Sequence, residues 1–573
     1  MAIDLTPEQR AVGKENFHRA VGKLAEEKPG VNRRDFMKGL IGAGATLPVA
    51  AAAYFGYARE DGKPAVPEKP VRAALIGAGD EGGVLVGFHN PRYLEFVAVC
   101  DFRPSNQKRI FNGDEEPDLQ HAGKMRMKKT SPRRGFKRIP EYADKDIKVF
   151  DDYGKLLADK KLGIEAVVIA LPLHLHAPVA IAAMEAGKHV LCEKLMAWNI
   201  RQCKDMIRAQ HKHDRVLSVG HQRHYSMLYA HAVEVLKSGI LGDINHIRAQ
   251  WHRNNTQIHT VQGKISVDQK GRPLYEGGWR PPILDEDRRA LEGKIRELGY
   301  TDMEELVRWR LFDRTGGGLM AELGSHQLDA CSIFLSALSG KKRADGHQEK
   351  VRPLAVTAVG GKFYYNDDSE VEDHIFCSYE FPGPKYDPRV RTFNKKGLPN
   401  YNDMVVVTYS SINTNSFEPY GECVMGTKGT MIVEQEQSVM LWGKASKSTA
   451  VTVGDAGGGK PALESSGSTD PAERQAAAVG QSAVGVGVPS RGYREEMEHF
   501  AYIIRMREQG MEGDKKKLKP RCDGESAMAD AIIALTANES MKHQKRVEFQ
   551  GAWFDPHSDE VPDADRVPHG VTG

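Results

Sequence analysis

The chain reads as an α/β protein, with an N-terminal Rossmann domain followed by an α+β domain built on an open, mostly antiparallel sheet. Three observations predict this. Between residues 70 and 222, short apolar runs alternate with helix-like stretches, as in a parallel sheet covered on both faces. A glycine-rich turn, GAGDEGG, closes the first of these runs. From residue 223 onward, β-rich runs succeed one another without intervening helices, which suits antiparallel pairing. A length of 573 residues calls for at least two domains. The formal net charge of +3 gives no global attraction to nucleic acid or anionic membranes. The seven cysteines are scattered, with no CxxC and no metal-ligand spacing, so neither a disulfide scaffold nor a metal is expected.

Residues 1–30 form a polar, helix-prone extension. Segment 31–58, VNRRDFMKGLIGAGATLPVAAAAYFGYA, sets Arg33 and Arg34 before a mildly apolar stretch and resembles a twin-arginine export signal. The expected partner is the twin-arginine machinery. The expected location is the periplasm or another exported site, with cleavage near 51–53 or membrane tethering if the signal is uncleaved. The nucleotide-binding domain spans 70–222, with strands at 73–76, 96–100, 166–170 and 190–192. Its basic stretch within 105–147 reads as a surface insertion. The second domain spans 223–549, with strands at 355–360, 374–381, 404–411, 422–426 and 431–434, and a last helix near 524–543. It carries a polar insertion at 254–314 and a Gly/Ala/Ser-rich flexible loop at 445–492. Residues 550–573 read as a polar tail.

Gly77, Gly79 and Gly82 give G-x-G-x-x-G between a strand and a helix. The first glycine allows the tight turn, the second lets backbone approach a pyrophosphate, and the third lets helix and strand pack. Asp101 ends the next strand, where an acid accepts ribose hydroxyls and repels a 2′-phosphate. NAD is therefore expected over NADP, with Arg103 a counter-signal. A strand-ending turn residue is the other reading of Asp101.

The block ALPLHLHAPVAIAAMEAGKHVLCEKLMA (170–197), with VGHQRHY (219–225) and GGGLMAELGSHQLD (316–329), closely resembles the glucose–fructose oxidoreductase and inositol dehydrogenase (Gfo/Idh/MocA) family. The resemblance implies a dinucleotide site drawing on Leu171, Pro172, His176, Glu193, Lys194 and Gln222. It implies catalytic positions for Lys194, Glu322 and His326. The i, i+4 spacing of Glu322 and His326 puts them on one helix face, where the carboxylate can orient the imidazole, or they are a helix-surface pair. It also implies a homo-oligomer, dimer or tetramer. Two positions depart from the pattern: Leu195 replaces a usual proline, and Glu322 a common aspartate, setting the carboxylate ~1–1.5 Å further out. Arg223, Tyr225, Trp251 and Arg253 are candidate substrate contacts, and Trp251, His252, Arg253, Trp279 and Arg280 could form a sugar platform or simply pack. The expected reaction is reversible oxidation of a secondary alcohol on a sugar, glycoside or cyclitol. A glycosidase using bound NAD transiently and a non-catalytic NAD-binding protein are the alternatives.

Overall fold

The computed structural model describes residues 5–26, 51–52, 54–59, 64–113, 135–443, 451–455, 461–465, 491–510, 518–564 and 566. A helix, α1 (Pro7–Glu26), comes first. The next part alternates strands and helices: β1 (Val71–Ile76), α2 (Asp80–Phe88), β2 (Leu94–Cys100), α3 (Pro104–Asn112), β3 (Lys148–Phe150), α4 (Tyr153–Ala158), β4 (Ala166–Ile169), α5 (His176–Glu185), β5 (His189–Glu193), α6 (Ile200–His213) and β6 (Leu217–Gly220). The six strands pair in parallel in the order β3-β2-β1-β4-β5-β6. Val190, Leu191 and Cys192 are fully buried because helices cover both faces. Strand order reverses between β1 and β4, which opens a crevice at the carboxyl ends there.

The second sheet is assembled from a longer stretch of chain. After α7 (Met227–Lys237) and β7 (Ile244–His252) comes a ribbon, β8 (Thr260–Val261) with β9 (Lys264–Ile265). Three helices follow, α8 (Asp285–Leu291), α9 (Met303–Val307) and α10 (Ser325–Ser339). The remaining strands are β10 (Ala355–Gly361), β11 (His374–Pro382), β12 (Met404–Ile412), β13 (Tyr420–Gly426), β14 (Gly429–Glu434) and β15 (Ser438–Gly443). Their order, β15-β14-β13-β7-β12-β11-β10, is antiparallel except where β7 meets β12 in parallel. Period-two burial along β12 places Val405, Val407 and Tyr409 inward. A second ribbon, β16 (Val451–Asp455) with β17 (Pro461–Ser465), precedes α11 (Tyr493–Glu508) and α12 (Gly524–His543), and β18 (Val547–Glu548) closes the sheet against β10.

Several boundaries differ from the sequence reading. The stretch 105–147 is not all surface: Phe136 and Tyr142 are buried, and the Tyr142 hydroxyl accepts the Phe96 N–H beside an irregularity in the β1–β2 pairing. Its basic middle, 114–134, lies outside the described residues. The insertion 254–314 has an apolar core of its own, Leu291, Ile295, Tyr300, Met303, Leu306 and Val307, closed by Phe102. The loop 445–492 holds the β16–β17 ribbon. Helices α11 and α12 come from the second half of the chain yet pack on the Rossmann strands, and Val219 N–H donates to the Cys522 carbonyl. The tail is docked: Lys204 Nζ donates to the carbonyls of Ala552, Ser558 and Glu560, and Arg566 lies 4.2 Å over the Trp198 ring.

The N-terminal segments are also built in. Leu5 packs with Met440 and Trp442, Asn16 Nδ2 donates to the Leu441 carbonyl at 2.9 Å, and Arg10 pairs with Glu434, so α1 lies along β15. Arg33 and Arg34 lie outside the described residues. Ala51 and Ala52 are fully buried, and the Tyr57 hydroxyl donates to Glu498 at 3.0 Å. Ala51 and Ala52, beside the expected cleavage point, are thus inside the folded chain. No helix among the described residues is long and apolar enough to cross a membrane.

Candidate active site

The glycine loop is shaped by contacts that only glycine allows. Gly77 has φ +98°, and a side chain there would collide with the Ala170 carbonyl at the end of β4. A side chain at Gly82 would strike the Gly77 carbonyl, whereas nothing lies within 4 Å of the equivalent point at Gly79. Open space thus faces the N-terminus of α2, where backbone N–H groups and the helix dipole suit a pyrophosphate. Asp101 stands at the end of β2, and its carboxylate accepts from the N–H groups of Ala78 (2.9 Å) and Arg103 (2.8 Å) and from Asn106 Nδ2 (3.0 Å). The acid therefore braces the glycine loop as well as facing the crevice. These residues fit a dinucleotide.

The side chain of Arg103 is committed elsewhere: Nε and Nη2 both donate to Asp287, which also accepts from Ser105. Asp287 is fully buried and belongs to α8, so the insertion 254–314 is tied to the carboxyl edge of β2. At the end of β4, His174 meets Tyr300 of the same insertion edge-on at 5.7 Å. The insertion walls the dinucleotide crevice, a role its polar composition did not reveal.

Leu171 and Pro172 follow β4, and their loop is held from below. His176 Nδ1 lies 2.8 Å from the Leu195 carbonyl and Nε2 2.9 Å from the Leu171 carbonyl. His176 thus clamps the loops after β4 and β5 together, which corrects its reading as a direct cofactor contact. The Lys194–Leu195 peptide is cis. Gln222 is buried after β6, and its side-chain amide has no hydrogen-bond partner among the described residues.

Lys194 ends β5 with its side chain turned to the second domain, and Nζ donates to the Glu322 carbonyl at 2.9 Å. That carbonyl lies in a widened helical turn, Met320–Gly324, where Ser325 N–H reaches back five residues to Met320. The Ser325 hydroxyl donates to the Ala321 carbonyl at 2.6 Å. Such one-turn widenings recur at functional sites. Burial lowers the Lys194 pKa, against the pull of Glu322 and Glu193. Burial pushes Glu193 well above the carboxylate range, and the nearby Glu81 adds to the shift. Burial thus holds Glu193 toward its neutral form. His326 is driven well below the usual histidine range by burial, with Lys194 and Arg223 adding positive charge nearby.

Glu322 does not orient His326 in the expected way. Its carboxylate accepts from Arg310 Nε at 2.7 Å, and among the described residues it makes no side-chain hydrogen bond to His326. Burial opposes its ionisation, but Arg310 and Lys194 carry the balance and keep its pKa low. His326 instead sits 5.4 Å from the Trp251 ring. Trp251 stacks on Tyr420 at 4.5 Å, and Arg253 lies 5.4 Å over its ring. Arg223 and Tyr225 are corrected from substrate contacts to internal struts. Arg223 is buried, bonded to Glu436, Glu422 and the His326 carbonyl. Tyr225 is fully buried, with its hydroxyl 2.9 Å from His499. His252 and Arg280 are engaged elsewhere: His252 faces Ser410, and Arg280 pairs with Asp367 over the Tyr365 ring.

Sequence reasoning missed Arg310, which belongs to the insertion and stacks 4.1 Å over Trp309. The adjacent pair in VRWRLF was its only signal. It also missed a buried cluster of His221, Asp329 and Asp530 whose ligand atoms lie within 4.8 Å of one another. Lys350 already supplies a cation there, at 2.6 Å from Asp329 and 2.9 Å from Asp530.

The family model GFO_IDH_MocA, an oxidoreductase family with an NAD-binding Rossmann fold, matches residues 71–221. Residues 71–221 accordingly resemble that family's NAD-binding Rossmann domain. The chain is similar to inositol 2-dehydrogenase/D-chiro-inositol 3-dehydrogenase of Lactiplantibacillus plantarum, 34% identical over 119 residues, or 21% of this chain and 33% of that protein. It is also similar to a glycosyl hydrolase family 109 protein of Shewanella amazonensis, 27% identical over 267 residues, or 44% of this chain and 50% of that protein. The chain thus spans half the length or less of these curated relatives. Among solved structures, an inositol dehydrogenase homolog of Azotobacter vinelandii, complexed with NADH and myo-inositol, shares the fold with TM-score 0.51 at 15% identity, covering 84% of this chain and 98% of that one.

Proposed function

We propose that the chain is a Gfo/Idh/MocA oxidoreductase that uses NAD to oxidise a secondary alcohol of a sugar, glycoside or cyclitol, reversibly. The observation that carries this reading is Lys194: buried at the carboxyl end of β5, hydrogen-bonded to the Glu322 carbonyl, and depressed in pKa beside a neutral His326. A lysine so placed can take a hydroxyl proton, and a neutral imidazole can share it. Arg310 fixes the Glu322 carboxylate, whose turn holds Lys194. Gly77, Gly79 and Gly82 would hold the pyrophosphate and Asp101 the ribose hydroxyls. When bound, NAD supplies the hydride acceptor. An acid at position 101 favours NAD over a 2′-phosphorylated cofactor. Similarity to an inositol 2-dehydrogenase supports the alcohol class. The test is to load the purified chain with NAD, offer sugars and cyclitols, and follow reduced nicotinamide by absorbance. Reduction by at least one supports the reading, and none across the panel contradicts it.

The longer stretch matched in a glycosyl hydrolase family 109 protein favours a second reading, NAD-assisted glycoside cleavage. It is distinguished by free sugar released without net reduction of NAD. The Arg33–Arg34 motif carries the further proposal of export as a folded, cofactor-loaded protein by the twin-arginine route. Val359 and Phe376, 62% and 47% exposed on the outer face of the second sheet, support a homo-oligomer.

A further inference from the structure

We propose that the substrate carries an oxyanion, and that Arg253 together with Arg310 is the site that receives it. This rests on the oxidoreductase reading and adds the charge of the sugar it acts on. Lys194, Glu322 and Arg310 form one chain of contacts, 2.9 Å from Lys194 Nζ to the Glu322 carbonyl and 2.7 Å from Arg310 Nε to the Glu322 carboxylate. His326, Trp251 and Arg253 form a second, 5.4 Å between the His326 and Trp251 rings and 5.4 Å from the Arg253 guanidinium to the Trp251 ring. The two adjoin, because Glu322 and His326 are four residues apart and Arg253 lies within the electrostatic reach of Arg310 and Glu322. The cations among them are Arg310 and Arg253, with Lys194 adding a charge only while protonated. Their single carboxylate is Glu322, already bonded to Arg310.

Arg253 is the unusual member. It is half-buried, and among the described residues no carboxylate lies within ion-pairing distance of it. The other arginines of this region are matched. Arg223 pairs with Glu422 and Glu436, and Arg491 pairs with Glu436. Arg253 is also placed by its surroundings: its backbone N–H donates to the Ile412 carbonyl at 2.8 Å, and its guanidinium rests over Trp251. A fixed guanidinium without an internal acid presents a planar fork of donors, the geometry that carboxylate and phosphate oxygens match in pairs. The oxidised nicotinamide adds one more positive charge to the same cleft. An anionic sugar would offset this excess, and a neutral one would leave it.

The test uses the full chain loaded with NADH, titrated with glucose, glucuronate and glucose 6-phosphate while nicotinamide fluorescence is followed. One charged sugar should bind at least tenfold more tightly than glucose. Preference for glucuronate identifies a carboxylate, and preference for the phosphate ester identifies a phosphate. Arg253→Gln should bring the preferred anion to within twofold of glucose with NADH content unchanged. Arg253→Lys, which keeps the charge without the fork, should fall between and serves if the glutamine variant does not fold. Equal binding of all three sugars, binding of none, or a preference undiminished in the variants overturns the proposal. Turnover is scored separately, so tight anion binding without oxidation would sink the oxidoreductase reading and leave the anion site standing.

Discussion

Glu193 and Lys194 are neighbours in sequence, and burial drives both toward their neutral forms. A base in alcohol oxidation works unprotonated, so the rate rises with pH as Lys194 loses its proton. A lowered lysine pKa moves that rise toward neutrality. The expected pH profile of kcat has a rising limb centred below the usual lysine value of 10.5, and Lys194→Met lacks it. A limb retained in the variant would assign it to another group. Glu322→Asp withdraws the carboxylate from Arg310, and kcat should fall while NAD affinity holds. Equal activity would mean that either acid serves. Asp101→Ala removes the acceptor for the Ala78 N–H as well as for the ribose. NAD binding should weaken by ~1.5–3 kcal/mol, measured by titration, with discrimination against NADP reduced. Unchanged discrimination would place Asp101 outside the adenosine pocket. Lys194, His326 and the glycines were legible in sequence because local motifs name them. Arg310 was not: it lies in the polar insertion, and its neighbours carry no motif that would pair it with Glu322. Nor could the pattern show that Arg223, next to Gln222, turns inward to Glu422 and Glu436.

At the scale of elements, strands were legible wherever burial is continuous or alternates strictly, as in β1, β5 and β12. The edge strand β3 is only three residues long and mostly exposed, so no burial pattern marks it. β7 was missed because polar residues such as Asn245, His246 and Arg248 interrupt its pattern, and its parallel partner β12 lies far along the chain. The insertion looked like polar filler because its apolar residues are spread over Leu291–Val307 and meet only when folded. Asp287 ties it to the Rossmann edge, so Asp287→Ala strands a partly buried Arg103. The expected cost is about 3 kcal/mol of stability, read from denaturant melts, with faster loss of NAD on dialysis. Full stability and retention would mean that the insertion is not a wall of the crevice. Gly13 lets α1 approach β15, since any side chain there would collide with Trp442. Gly13→Leu should lose about 1–3 kcal/mol, the scale of an overpacked contact. A neutral result would show α1 to be loosely laid.

For the whole molecule, the division into two domains was legible from periodicity, but the crossing of the chain was not. α11 and α12 return to the first sheet, and the tail docks beside Lys204, because long-range packing leaves no local mark. The same holds for the N-terminus. With Ala51 and Ala52 fully buried and α1 seated on β15, intact mass of the protein from its native compartment should include residues 5–58. A mature terminus at 52–54 would show that export precedes this packing. The central claim, that Lys194 performs the proton step of NAD-dependent alcohol oxidation, is tested most directly by comparing the steady-state kcat of the parent and Lys194→Met on the sugar that reduces bound NAD. The expected result is an intact fold, retained NAD and a kcat lower by roughly 10²-fold or more, whereas a variant within twofold of the parent would contradict it.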